Sequence, residues 1–321
     1  MGARLRRRRV LGALPALAIL PHLARAGAQL RIVTTIAQIA DVASRLAGER
    51  AQLRSLMGEG VDPHTYRQTR ADVLVLRRAD LVLANGLHLE AQLDDFLSEL
   101  ARERPVLRLA ERLPRERLLE NAEFASRFDP HVWMEVDLWR AVVELVRDEL
   151  IRLDPAGEAA SRERAAAFDA ELVALERYVR DVLATIPRAK RVVISAHDAF
   201  NYFGRAYDLD VIGIQGLSTE SEAGLAEIEA LVRLIVERGV EAVFVESSVA
   251  ERNVKALVEG AAARGHRLRI GGQLFSDAMG APGTYEGTYV GMIDHNATVV
   301  TRALGGRAPA RGMAGRLALV G

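Results

Sequence analysis

The 321-residue chain has no cysteine. That excludes disulfides, thiolate metal ligands and a lipid carried on an N-terminal cysteine. Aromatic residues make up only 5% of the chain and histidines number seven, so a repeated context around histidine is informative. No low-complexity tract is present, and a chain that is 50% hydrophobic and 27% charged has the composition of a folded protein. The most apolar run near the N-terminus, "VLGALPALAIL", is too short to span a bilayer, and no later stretch is longer.

What is present at the N-terminus is a run of arginines: Arg4, Arg6, Arg7, Arg8 and Arg9 precede that apolar stretch, and "ARAGA" follows it. This order matches the n-region, h-region and small-residue cleavage site of a secretory signal. Ala24 and Ala26 occupy the small positions for cleavage after residue 26. "RRRVLG" resembles a twin-arginine motif, with Sec export as the alternative. Loss of six arginines and no acid takes the formal net charge from zero to about −6. The expected product is a monomeric, mildly acidic periplasmic protein, and that charge argues against a nucleic-acid partner.

Apolar strand-like runs alternate with helical patterns through both halves, which predicts α/β structure with mainly parallel sheets. "LRIVTT" and "DLVLAN" read as strands of the first half; "RVVISA", "DVIGIQ" and "EAVFVES" read as strands of the second. Between the halves, residues 157–186 contain no internal glycine or proline. Phe168, Leu172, Leu175, Val179, Val182 and Ile186 form one apolar stripe, stopped by Pro187. The expectation is a signal over residues 1–26, an N-terminal α/β lobe over 27–155, a rigid bridging helix over 156–187 and a C-terminal α/β lobe over 188–321. Thirty helical residues would extend about 45 Å.

Asp-Pro-His occurs twice, in "GEGVDPHTY" with His64 and in "SRFDPHVWM" with His131. Proline restricts itself and the residue before it, so each imidazole starts from a stiffened backbone. Asp62 and Asp129 are placed to accept the ring N–H that a metal does not use, which would orient the ring. Asp198 is a similar candidate beside His197 in "ISAHDAFNYF". A lone Asp-Pro-His also serves as a turn or helix start, and the spacing of the pair leaves both readings open. His64, His197 and Asp277 each follow a strand-like run, where open α/β sheets bind ligands. The other histidines read differently: His22 leaves with the signal, His88 covers a loop, and His266 and His295 lie on the surface. Trp133 and Tyr66 read as packing around a site.

The segments "DPHTY", "DPHVWM", "SAHDAFNYF", "VESSV" and "FSDAMGAPGTYEGTYVGMIDHN", in this order between about residues 30 and 305, resemble the metal-binding substrate-binding proteins of ABC transporters, the TroA-like cluster A-I group. The resemblance implies two α/β lobes bridged by one long helix, with His64, His131, His197 and Asp277 as metal ligands in the cleft. It implies Zn2+ as transported ligand, with Mn2+ as the alternative, a membrane permease as partner and no catalysis. Within that family a glutamate in place of His197 accompanies manganese, so His197 favours zinc. The His-rich loop of many zinc members is missing, since "ERLPRERLLENAEFASRF" holds no histidine. A secreted zinc hydrolase is the competing class; it would need an open coordination position and a base such as Glu135 or Asp198.

Overall fold

The computed structural model describes residues 29–120 and 127–318. The signal expected at residues 1–26 lies outside the described residues. In the first lobe, strands β1 (Leu30–Thr34), β2 (Ala51–Ser55), β3 (Leu81–Ala84) and β4 (Val106–Arg108) form a parallel sheet in the order β2-β1-β3-β4. The crossovers carry helices α1 (Ala37–Ala47), α2 (Arg70–Arg78) and α3 (Asp94–Leu100). α1 buries Ile39, Val42, Ala43 and Leu46, which recur at helical spacing on one face. β4 has three residues and no alternation to betray it, and went unread.

A long helix, α4 (Val136–Leu153), leads out of this lobe, and a 3-10 turn (Pro155–Gly157) hands the chain to α5 (Glu158–Leu183). α5 is continuous over 26 residues, about 39 Å at 1.5 Å per residue. It is shorter than expected at both ends: proline at residue 155 favours a tight first turn, and the chain leaves the helix at Ala184, before Pro187. Its buried stripe packs on α1 and α4 of the first lobe and on α9 (Tyr289–Ala303) of the second.

In the second lobe, β5 (Val192–His197) pairs in parallel with β6 (Asp210–Gln215), and β7 (Ala242–Glu246) with β8 (Arg269–Leu274); β5 lies beside β7. Short α6 (Asn201–Tyr207), α7 (Leu225–Arg238) and α8 (Arg252–Ala263) complete it. Asp208 leaves α6 in the left-handed conformation, which an Asp tolerates better than most residues. One hydrophobic core runs from the first sheet through α4 and α5 to α9, and a smaller one lies under α7 and α8. Two α/β lobes are thus joined by a helix that is part of a shared core, and the carboxyl ends of β2, β5, β7 and β8 point at the seam between them.

Candidate metal centre

His64, His131, His197 and Asp277 meet at this seam, all buried, with one ligand atom from each lying within 4.8 Å of the others. His64 sits on the loop after β2. His131 precedes a 3-10 turn (Val132–Met134) that leads into α4. His197 is the last residue of β5, and Asp277 follows β8. The Nε2 of His131 is 3.3 Å from that of His64 and 3.4 Å from that of His197. Asp277 places Oδ2 3.2 Å from His197 Nε2 and 3.8 Å from His64 Nε2, and Oδ1 3.5 Å from His131 Nε2. Four ligands about 2.1 Å from a central ion at tetrahedral angles stand about 3.4 Å apart, so these spacings leave room for one ion. The Asp277 side chain is wholly buried, and its oxygens face the three imidazole nitrogens of the cluster. A buried carboxylate needs compensating charge, and a cation at the centre of the cluster would supply it.

The two Asp-Pro-His segments close the same local turn. Asp62 Oδ1 accepts from the backbone N–H of His64 at 2.9 Å, and Asp129 Oδ1 from that of His131 at 2.9 Å. An aspartate carboxylate bonding the backbone two residues on is a turn that needs little from the rest of the chain. Beyond it the two differ. Asp129 Oδ1 also takes the Nδ1 of His131 at 2.7 Å, as the sequence suggested. Asp62 does not touch the His64 ring; its Oδ2 accepts from Thr65 at 3.1 Å and from Thr219 of the other lobe at 2.5 Å.

For His197 the expected orienting partner, Asp198, is wrong. Glu246 fills that role, accepting the backbone N–H of His197 at 2.9 Å and its Nδ1 at 2.6 Å. Adjacent residues on a strand end point to opposite faces, so Asp198 turns away from the ring and towards the cleft, whereas Glu246 closes the neighbouring strand β7 on the same face. The signal that could have found it is the one that found His197: a polar residue ending a buried apolar strand. Gly213 on β6 allows this corner to close, since a Cβ there would lie 2.5 Å from the Asp198 nitrogen.

Electrostatics divides the imidazoles. Burial drives His64 down to about 3, with Asp277 opposing and the other two imidazoles adding to the fall. Burial also favours neutral His197, but the carboxylates of Glu246 and Asp277 outweigh it and hold His197 well above its ordinary value. Burial would raise Asp277; His197, His64 and His131 overcome it and hold the carboxyl below the usual range.

The surroundings are braced from both lobes. Trp133 stands edge-on to the His131 ring at 5.3 Å, and its indole N–H donates to the Ser276 carbonyl at 2.9 Å. Gln38 of α1 donates to the Asp277 carbonyl at 3.0 Å. Asn85 donates to the Pro130 carbonyl at 3.0 Å, and its own turn is held by the buried Glu90, which accepts the N–H groups of Asn85 and Gly86. Tyr66 is half-buried and donates to Asp72 at 2.8 Å, away from the cluster.

The remaining histidines stay outside the cluster. His88 is exposed and pairs with Asp94 at 2.9 Å in the wall of the cleft. His266 and His295 are not simply surface residues: both are half-buried, each bonded through Nε2 to a backbone carbonyl, of Val240 at 2.6 Å and Gln273 at 2.9 Å. A histidine beside a strand edge finds a carbonyl to bond, which composition and periodicity do not reveal. Glu135 is engaged by Arg205 and Arg117.

Two α/β lobes on a long helical spine, with a cluster of potential ligating side chains buried at their seam, define a solute-binding protein. The chain matches the family model described as zinc-uptake complex component A, periplasmic (ZnuA), over residues 32–303, and it belongs to that family. It is 45% identical over 273 residues to the zinc-binding protein TroA of Treponema pallidum, covering 85% of this chain and 88% of that one. It is 44% identical over 276 residues to the manganese-binding lipoprotein MntA of Bacillus subtilis, covering 86% and 90%. The solved structure of the periplasmic zinc-binding protein TroA from Treponema pallidum superposes with a TM-score of 0.84, covering 86% of this chain and 99% of that one.

Proposed function

We propose that this chain is a periplasmic receptor that captures a divalent metal ion, zinc in preference to manganese, and hands it to the permease of an ABC importer. His64, His131, His197 and Asp277 are its ligands. The observation that carries this reading is the buried cluster of three imidazole nitrogens around a carboxylate whose oxygens have no other partner. The ion is the cargo; the protein's part is to hold three rings and one carboxylate in register before it arrives. Asp129 and Glu246 fix the tautomers of His131 and His197 so that both present Nε2 inwards.

Three nitrogen donors and one carboxylate suit zinc better than manganese, which prefers oxygen-rich sites. Likeness does not separate the two, since a zinc-binding and a manganese-binding relative are about equally similar. Export through the N-terminal signal places the receptor where the metal is scarce and the permease accessible. Calorimetric titration of metal-free protein tests the reading. One zinc per chain is expected, lost when His131 and Asp277 are both replaced by alanine, with manganese binding more weakly. A parent chain that takes up neither ion at one per chain would sink it.

A further inference from the structure

The seam between the lobes is fastened unequally. Behind the cluster it is stapled by buried bonds: Gln38 and Trp133 of the first lobe hold the carbonyls of Asp277 and Ser276, and Tyr289 of the second donates its hydroxyl to the Trp133 carbonyl at 2.8 Å. Tyr202 of the second lobe donates to the Asp129 carbonyl at 2.9 Å. These bonds anchor the segments that carry His131 and Asp277 to both lobes at once. In front of the cluster lies a cleft of about 810 Å³, and of the four proposed ligands only His64 is in its wall. His64 is also the one imidazole whose Nδ1 is held by no carboxylate among the described residues; its ring contacts are to the cluster itself. Across this front, among the described residues, the loop that follows β6 is tied to the first lobe by two side-chain bonds, Thr219 to Asp62 and Gln92 to Glu220, each 2.5 Å, and beside them Asn201 of α6 donates to Asp129 Oδ2 at 3.1 Å.

We infer that Asp62 and Thr219 form the latch that sets the rate of metal release, with His64 as the ligand that lets go first. The inference rests on the proposed metal-receptor reading. Asp62 closes the turn that orients His64 with one oxygen and takes the Thr219 hydroxyl with the other. The β6 loop therefore clamps the segment that separates the ion from the cleft. Breaking the Thr219 bond frees that segment while the back of the seam stays closed, because the stapled bonds behind it share no group with the latch. A single contact of this kind, separate from the buried bonds behind the cluster, is where a docking permease would act without unfolding either lobe. Thr219 and Asp62 are positioning residues; neither touches the ion.

The experiment is stopped-flow transfer of zinc from loaded full-length mature protein to a chromogenic chelator in excess, with calorimetric stoichiometry and metal-free melting temperature measured alongside. Thr219→Val should raise the release rate roughly tenfold, the effect of losing one hydrogen bond to a charged group, with one zinc still bound per chain. Thr219→Ser, which keeps the hydroxyl, should release at the parent rate. Gln92→Ala, which cuts the second tie, should give a smaller rise in the same direction and serves if the valine variant does not fold. Arg152→Ala removes an exposed pair with Glu149 on α4, away from the seam, and should leave the rate within about twofold. The latch is overturned if Thr219→Val and Gln92→Ala both release at the parent rate, or if Arg152→Ala accelerates release as much as Thr219→Val. A parent chain that binds no zinc would overturn the receptor reading and the latch together.

Discussion

Glu246 holds His197 twice, one carboxylate oxygen on the backbone N–H at 2.9 Å and the other on Nδ1 at 2.6 Å, across 49 residues of chain. Both groups are wholly buried. The pair fixes the direction of Nε2 and places a negative charge behind it, so the strength of His197 as a proposed ligand depends on a residue that the ion does not touch.

Glu246→Gln should keep the fold and weaken zinc binding by about 10–100-fold, the usual cost of disturbing a partner behind a ligating histidine. The amide can still accept one of the two bonds but brings no charge. Competition against a chelator of known affinity measures it. An unchanged affinity would mean that the carboxylate is there for packing alone.

Metal binding should release a proton at neutral pH. Glu246 and Asp277 hold His197 above its ordinary value, so in the metal-free protein its Nε2 carries a proton that the ion must displace. His64, lowered to about 3, has none to give above that pH. Zinc affinity should therefore keep climbing as pH rises through and above about 6.5, the unperturbed histidine value, and level off only past the folded value of His197. Calorimetry in buffers of different ionisation heat reads the proton directly. Binding heats that do not depend on the buffer would contradict it.

Excess zinc should raise the melting temperature, since an ion that binds only the folded state at a thousandfold excess over its Kd adds about 4 kcal/mol. His131→Ala should abolish most of that shift. His88→Ala and His295→Ala should keep it, because those rings are bonded elsewhere. His197→Glu should recover manganese binding better than zinc binding. Thermal melts with each ion separate these outcomes. A full shift in His131→Ala together with its loss in His88→Ala would place the site elsewhere.

Leu175 is fully buried in the middle of α5. Leu175→Ala should cost about 2–5 kcal/mol of stability, as large-to-small changes in well-packed cores do, while leaving zinc stoichiometry at one. Because α5 belongs to a core shared by the lobes, the parent protein should show nearly the same radius of gyration with and without metal by small-angle scattering. A contraction on the scale of a wide hinge closure would show that the spine bends.

The alternation of strands and helices was readable because buried parallel strands are short apolar runs and their crossover helices carry a stripe of period 3.6. The α5 stripe was readable for the same reason, although its ends were not: whether the last turns stay helical depends on neighbours such as the 3-10 turn at Pro155, not on periodicity. β4 escaped because three residues make no pattern. The candidate ligands were found by the repeated Asp-Pro-His, by the places of His64, His197 and Asp277 after strand-like runs and by the resemblance of whole segments, and the structure brings all four together.

The sequence by itself determined the two Asp-Pro-His turns, because a carboxylate bonding the backbone two residues on is local chemistry. It left the two indistinguishable. Only the tertiary structure made them different: Asp129 turns its oxygen onto the ring of His131, while Asp62 is drawn to Thr219, 157 residues away. It likewise chose Glu246 over the adjacent Asp198 to hold His197. Neighbours in a chain point to opposite faces of a strand, and a buried imidazole takes whichever carboxylate the packing of the next strand brings within reach.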